Sequence, residues 1–264
     1  MDMQSYYLGA AYLLAAVFGL CVGSFLNVVI YRVPAGMSLA VPSSHCPKCK
    51  YVLRWYDNIP ILSYLMLGGK CRSCRSPISV RYTAVEIANM LLWLLSALLF
   101  WQQSVAYAVI CALASSVFIC VFFIDLEHKL VFNRFVLALT VLGIAAAVVD
   151  PYYSAVSHII GGVGGFGAFY LIAWLFERIR HKDGLGGGDI KLTGACGLLL
   201  GWQRLMLAVL CAAVVASVVL VILSRRSGDD ETEYPFAPFL TCGFALAMFF
   251  GHNIISAYLS LLGI

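Results

Sequence analysis

The sequence predicts an all-α polytopic membrane protein of about eight transmembrane helices with one small polar insert, and three observations carry that expectation. The chain is 62% hydrophobic and 11% charged over 264 residues, whereas a soluble domain carries roughly a quarter charged residues. Its apolar residues fall in long runs at about 6–30, 84–100, 104–124, 130–149, 156–176, 203–223 and 236–261, with a shorter one at 190–201. Its basic residues gather in alternate connections between those runs. Dinucleotide folds, solenoids and basic nucleic-acid binders are disfavoured, so membrane lipid is expected as a partner and nucleic acid is not. The net charge of +4 needs no acidic partner, because membrane proteins concentrate Lys and Arg on the cytoplasmic side.

Residues 1–30 read as the first transmembrane helix. The apolar stretch exceeds signal-peptide length, has no basic residue before it and shows no cleavage box, so it is expected to be retained. The run 190–201 is the difficult one, because it is shorter than the roughly 17–25 residues that cross a bilayer. Charge decides the expectation. With 31–81 in the cytoplasm and 190–201 crossing, sixteen of the seventeen Lys and Arg residues lie inside and only Arg204 lies outside. Without that crossing, Arg225 and Arg226 move outside. Eight spans with both termini outside is therefore the expected topology, and it brings Asp125 and Asp189 to the cytoplasmic face.

Residues 31–81 form the one sizeable polar stretch. They contain Cys46-Pro47-Lys48-Cys49 and Cys71-Arg72-Ser73-Cys74, two CxxC pairs whose spacing suits a four-thiolate zinc site. Each pair can form a knuckle presenting two sulfurs to one ion. An insert this small has little core of its own, so a metal cross-link accounts for its stability. Disulfides and a redox CxxC are the competing readings, and the cytoplasmic placement argues against disulfides. Cys46, Cys49, Cys71 and Cys74 would saturate zinc and leave no position for water, so the Zn2+ is expected to be structural. His45 adjoins Cys46 as a substitute ligand. The other six cysteines sit in apolar runs and read as small buried hydrophobes.

Two aspartates stand at the edges of apolar segments: Asp125 after Phe122-Phe123-Ile124, and Asp189 after Gly186-Gly187-Gly188. An acid beside a bilayer is costly to desolvate and is a functional candidate by default. Two brought together would share protons and run acid–base chemistry. The bland alternatives are solvated loop acids, with Lys129 pairing Asp125 four residues on. Four glycines within 184–188 predict a loop or broken helix before Asp189, with room for an extended peptide. Neither GxGxxG after a strand nor GxxxxGK[ST] is present, so nucleotide binding is not indicated. Gly161, Gly162, Gly164, Gly165 and Gly167 are expected to serve close helix packing.

These residues, in this order, resemble the type IV prepilin leader peptidase/N-methyltransferase family, within the GxGD intramembrane aspartyl proteases. The resemblance runs nearly the full length. It begins at Gly23-Ser24-Phe25-Leu26-Asn27-Val28-Val29-Ile30-Tyr31-Arg32-Val33-Pro34 and continues through the tetracysteine insert with Trp55-Tyr56-Asp57-Asn58-Ile59-Pro60. Arg81-Tyr82, Val85-Glu86, Asp125 and Gly186-Gly187-Gly188-Asp189-Ile190-Lys191-Leu192 follow, and Pro235-Phe236-Ala237-Pro238-Phe239-Leu240 closes it. Three positions depart from the family pattern: Phe132 precedes Asn133 where proline is common, Thr83 replaces a proline, and Ala237 replaces a glycine.

The resemblance implies a multi-pass enzyme of the bacterial cell inner membrane with its active site near the cytoplasmic face. It implies Asp125 and Asp189 as the catalytic pair, and type IV prepilins or type II secretion pseudopilins as substrates. The new N-terminus would then be methylated from S-adenosylmethionine. Residues 31–81 become a cytoplasmic tetracysteine zinc domain and 82–264 the aspartyl protease core. For methyl transfer the candidates are Gly23, Asn27, Tyr31 and Arg32 at the end of the first helix, with Glu86. Asn27 and Tyr31 share a helical face at i,i+4, and Glu86 either orients the amine or forms a buried ion pair with Arg32 or Arg81. Basic residues of the leader would meet Glu127 or Asp183. The alternatives from other classes are an ion-coupled transporter with a zinc-bearing cytoplasmic domain, and a membrane scaffold whose cysteines stiffen a docking module.

Overall fold

A computed structural model describes residues 3–180, 186–227 and 235–263. Each of the eight apolar runs becomes one helix, and the described residues contain two isolated β-bridges but no strand. The chain divides into two units, Met1–Leu99 and Phe100–Ile264.

In the first unit, α1 (Met3–Arg32) and α3 (Val80–Phe100) flank the polar insert, which carries a 3-10 turn at Trp55–Asn58 and the short α2 (Leu62–Met66). The two long helices meet on a glycine seam. A Cβ at Gly19 would lie 2.9 Å from the Met90 Cα, and one at Gly23 would lie 2.8 Å from the Glu86 Cα. Polar groups at this seam satisfy one another. Asn89 donates to the Gly19 carbonyl at 2.7 Å, and Asn27 donates to the Tyr82 carbonyl at 3.0 Å.

The second unit contains α4 (Val105–His128), α5 (Asn133–Val149), α6 (Ala155–Arg180), α7 (Gly187–Leu200), α8 (Trp202–Ser227) and α9 (Ala237–Leu261). Its most enclosed long helix is α4, with 72% of its apolar window buried, packed against α5 and α9. Among the described residues, six helices of the whole chain are long and apolar enough to cross a membrane: α1, α3, α4, α6, α8 and α9. The 14-residue α7 rises roughly 21 Å, short of a hydrocarbon core of about 30 Å. It is instead enclosed by protein, chiefly α6 and α5.

That enclosure rests on glycines. A Cβ at Gly161 would lie 2.5 Å from the Gly197 carbonyl oxygen, and one at Gly143 would lie 2.9 Å from the Leu198 backbone. Gly161 and Gly143 thus bring α6 and α5 onto the α7 main chain, in keeping with the packing role expected for the glycines of 161–167. Gly164 and Gly167 differ, because a Cβ there meets nothing within 4 Å.

The far end of α7 is closed by Arg204, which is 1% exposed rather than sitting in a solvated outer loop. Its guanidinium donates to the Leu200 carbonyl at 2.6 Å, to the Tyr107 hydroxyl at 2.6 Å and to the Asp150 carboxylate. A cation at a helix C-terminus complements its dipole and caps an otherwise orphaned carbonyl. His158 of α6 adds Nδ1 to the Leu198 carbonyl at 2.8 Å, with Nε2 3.2 Å from Asp150. A buried Arg–Asp pair is worth keeping only with such added hydrogen bonds.

The glycine contact between α6 and α7, where an added Cβ at Gly161 or Gly197 would strike the other helix's backbone, generates a paired prediction. Gly161→Val and Gly197→Val are expected to cost about 3 kcal/mol or more by overpacking against backbone, whereas Gly164→Ala and Gly167→Ala are nearly neutral. Thermal melting of the four purified variants in detergent distinguishes the two classes, and equal melting temperatures would sink the argument.

Candidate functional site

The second unit brings the two sequence-predicted aspartates together. Asp125 lies in the last turn of α4, 5% exposed, and its Oδ2 has no hydrogen-bond partner. The backbone N–H of Ala237, first residue of α9, lies near the Asp125 carboxylate. A helix N-terminus is a favourable neighbour for a carboxylate, which gives the Pro235–Leu240 stretch a physical role. Lys129 does not pair with Asp125 through its ammonium among the described residues. Its backbone N–H closes α4 on the Asp125 carbonyl at 2.9 Å, and Lys129 itself is left-handed at φ 54°.

Asp189 lies half-buried in the first turn of α7, where an acid is favoured by the helix dipole. The charge of Asp125 acts on its carboxyl. What draws the segments together is Gly188, whose added Cβ would lie 2.9 Å from the Val131 Cβ in the connection that follows Asp125. Lys191 Nζ donates to Asn133 Oδ1, at the start of α5, at 3.2 Å.

The loop or broken helix expected before Asp189 falls between the end of α6 at Arg180 and the start of α7 at Gly187, and the helix begins before the last glycines are passed. Gly187 and Gly188 are already helical, with Gly186 as N-cap at φ −62°. These three glycines use no left-handed backbone. Their value is space, for Val131 at Gly188 and for the Asp189 Oδ2 at Gly186, 3.3 Å from its added Cβ. Asp183, Gly184 and Leu185 lie outside the described residues.

In the first unit the insert folds as two matching knuckles. Lys50 N donates to the Cys46 carbonyl at 2.9 Å, and Arg75 N donates to the Cys71 carbonyl at 3.0 Å. Lys50 and Arg75 are both left-handed, at φ 59° and 58°. The four sulfurs of Cys46, Cys49, Cys71 and Cys74 lie within 4.8 Å of one another, with Cys46–Cys74 and Cys49–Cys71 each at 3.9 Å. Tetrahedral coordination with bonds of about 2.3 Å places sulfurs roughly 3.8 Å apart, whereas a disulfide needs about 2.05 Å. The donor set therefore fits one tetrahedral ion. All ten cysteines are free. His45 does not replace a ligand: among the described residues the donor atoms that gather here are the four sulfurs alone, and its Nδ1 lies 3.1 Å from the Ser43 carbonyl.

Asp57 locks the insert, a role the sequence reading misses. Its carboxylate accepts from Arg72 Nε at 2.8 Å, the Arg54 N–H at 3.2 Å and the Tyr51 hydroxyl at 3.4 Å. Burial alone would raise this carboxyl, but those hydrogen bonds and the Arg72 charge outweigh it and hold it below the usual carboxylate range.

A cavity of about 680 Å³ opens between this insert and the α1 and α3 ends flanking it, within the size range of small-molecule sites, about 300–1,000 Å³. Asn27, Tyr31, Arg32 and Glu86 line it, so four of the five methyl-transfer candidates converge there. Gly23 does not; it is the glycine on which Glu86 rides. Glu86 Oε2 accepts from the Ile61 N–H at 2.9 Å, and the carboxylate also meets Ser24. Ile61 sits at φ 61°, a strained conformation for a β-branched residue. The ion pair with Arg32 is not formed. Arg32 instead donates to the carbonyls of Ser38, Leu39 and Pro42.

By fold this is an integral membrane protein, built of apolar helices around a pair of partly buried carboxylates. Residues 17–100 match the bacterial peptidase A24 N-terminal domain, and residues 112–221 match the type IV leader peptidase family. The chain belongs to that family. It is 34% identical over 270 residues to a prepilin leader peptidase/N-methyltransferase of Pseudomonas aeruginosa, covering 93% of this chain and 92% of that one. A protein of the same name from Burkholderia pseudomallei is 37% identical over 90% of this chain and 84% of its own. A type 4 prepilin-like proteins leader peptide-processing enzyme of Escherichia coli O78:H11 is 36% identical over 92% of this chain and 95% of its own. No solved structure matches. Membership in a peptidase family leaves the transporter reading without support.

The Asp57 lock is testable by limited proteolysis. Because its folded pKa is depressed, the carboxylate stabilises above the unfolded value near 4 and loses that contribution as pH falls through the folded value. Asp57→Ala is expected to weaken the insert by on the order of 2 kcal/mol at pH 7, exposing 43–79 to protease. The difference from wild type is expected to shrink on acidification below about pH 4; a difference that grew there would count against the lock.

Proposed function

We propose that this chain is a bifunctional enzyme of type IV prepilins or type II secretion pseudopilins, removing the leader and then methylating the new N-terminus. The observation that carries the protease half is the meeting of Asp125 and Asp189, 64 positions apart, at the ends of two buried helices. Carboxylates whose charges act on each other do not ionise independently, so in this reading the pair shares a proton. One carboxylate takes a proton from the attacking water while the other donates a hydrogen bond to the scissile carbonyl. The proton then passes to the departing amine. Apparent pKa values belong to the pair rather than to either residue.

Cleavage lies at the cytoplasmic face of the bacterial inner membrane in this reading, as the basic-residue asymmetry requires. α5 and α7 complete the eight spans, α7 being short because protein rather than lipid surrounds it. The substrate's apolar helix lies in the bilayer, and the aspartates meet the junction at its edge. Glu127 remains a contact for basic residues of the leader.

The methyl-transfer half is assigned to the cavity in the first unit. S-adenosylmethionine supplies an electrophilic methyl when bound there, and the cavity's volume, lining and polar candidates fit it. Glu86 takes the proton that the substrate amine must lose before it can act as a nucleophile. Zn2+ on Cys46, Cys49, Cys71 and Cys74 holds the insert's side of the cavity and takes no part in the bond changes, since four thiolates fill its coordination.

Purified enzyme in detergent, given a prepilin and the methyl donor, tests both halves by mass spectrometry of the product. Asp125→Asn and Asp189→Asn are expected to lower cleavage by about a thousandfold or more while the protein stays folded; near-normal turnover in either would end the dyad assignment. Glu86→Gln, Cys46→Ser and Cys71→Ser are expected to impair methylation more than cleavage. Metal analysis is expected to find one zinc per chain, lost in the cysteine variants, with cleavage surviving chelation.

A further inference from the structure

Asn27 carries a feature that the cavity's general fit does not explain. It is 5% exposed, lines the cavity, and its Oδ1 is buried without a hydrogen-bond partner. The side-chain orientation is not ambiguous. Nδ2 donates to the Tyr82 carbonyl at 3.0 Å and the Gly23 carbonyl at 3.4 Å, and only an NH2 group can serve two carbonyls. Oδ1 is therefore an acceptor held in place and left unfilled, which a native structure seldom tolerates. Glu86 stands on the same seam. Its Cα faces Gly23, its carboxylate meets Ser24, and Ser24 precedes Asn27 by one helical turn. A neutral acceptor and a carboxylate beside one cavity suit a ligand with two N–H bonds to give.

We propose that Asn27 and Glu86 together hold the methyl-acceptor amine by two of its N–H bonds, and that Asn27 thereby limits transfer to one methyl. The proposal rests on the assignment of the first-unit cavity to methyl transfer. The new N-terminus arrives as R–NH3+ and gives one proton to the Glu86 carboxylate. The resulting R–NH2 keeps two N–H bonds, one on Asn27 Oδ1 and one on a Glu86 oxygen, so its lone pair has a single remaining direction. Along that direction a nitrogen–carbon bond forms to the methyl, and the carbon–sulfur bond breaks with both electrons going to sulfur. The sulfonium becomes a neutral thioether, Glu86 later returns its proton to solvent, and the product is R–NH2(CH3)+. Both remaining N–H bonds of that product are held. A second transfer requires the methyl to turn into the place of one of them, leaving Oδ1 or Glu86 against carbon, and a buried acceptor so abandoned is costly.

Two arms test this. In the first, wild type, Asn27→Ala and Glu86→Gln are given prepilin and methyl donor, with thermal melting as the folding control. Mass spectrometry is expected to find one added methyl with wild type and a second methyl on part of the product with Asn27→Ala. In the second arm, calorimetry without the methyl donor measures binding of processed-terminus peptides to wild type. Free-amine and N-methyl peptides are expected to bind alike, and the N,N-dimethyl peptide about tenfold more weakly for its lost hydrogen bond. Equal binding of all three peptides overturns the proposal, and decides alone if Asn27→Ala does not fold. A single methyl from folded Asn27→Ala, with Glu86→Gln inactive in transfer, overturns it while leaving the cavity assignment standing. Normal methylation by both variants overturns the cavity assignment as well.

Discussion

A helix too short to span a bilayer must be held by its neighbours, and the second unit is organised around that constraint. A helix of 14 residues such as α7, placed in a bilayer, would leave end groups that lipid could not satisfy. The Gly161 and Gly143 contacts let α6 and α5 close on its main chain. Arg204 takes up a carbonyl at its end and ties it to α4 and to Asp150. With the helix fixed along its length and at its C-terminus, the opposite end can carry an acid in its first turn. Asp189 is placed by packing rather than by a loop.

The same logic explains why the acids tolerate each other's company. Asp125 has one carboxylate oxygen without a partner and one N–H contact from the start of α9. An under-satisfied buried carboxylate is unfavourable in a purely structural site, and it suits one that must bind water and exchange protons. The first unit shows a parallel arrangement. Its insert lacks a core, so the knuckles and the Asp57 hub supply rigidity, and that rigidity presents one wall of a cavity whose other walls are membrane helices. In both units a stiff frame surrounds a few polar groups left short of partners.

Much of this was legible in the residues. Composition and apolar run length gave the helical class and the bounds of the eight helices that the apolar runs form to within a few residues, because a membrane core imposes a length and a polarity that few sequences satisfy by chance. Two CxxC pairs specified the donor set, since thiolates at that spacing have few other uses. The aspartates stood out for the same reason, as acids at the edges of apolar runs. Asn27, Tyr31, Arg32 and Glu86 were gathered from two separate helices, and all line one cavity.

Other features depend on partners far away in the chain. Nothing local marks Gly19 as the companion of Gly23 except a GxxxG spacing, and Arg204 reads as an ordinary loop cation until Asp150 and Tyr107 are brought beside it. The glycines before Asp189 suggest backbone freedom, yet the fold uses them for clearance against Val131. The sequence by itself determined residue chemistry and helical periodicity, which are local: a membrane-embedded helical protein, two acids and four thiolates. Only the tertiary structure decided which backbones touch and which polar atoms go unpaired, because those depend on contacts between segments tens of residues apart. The free Oδ1 of Asn27 and the free Oδ2 of Asp125 belong to that second class.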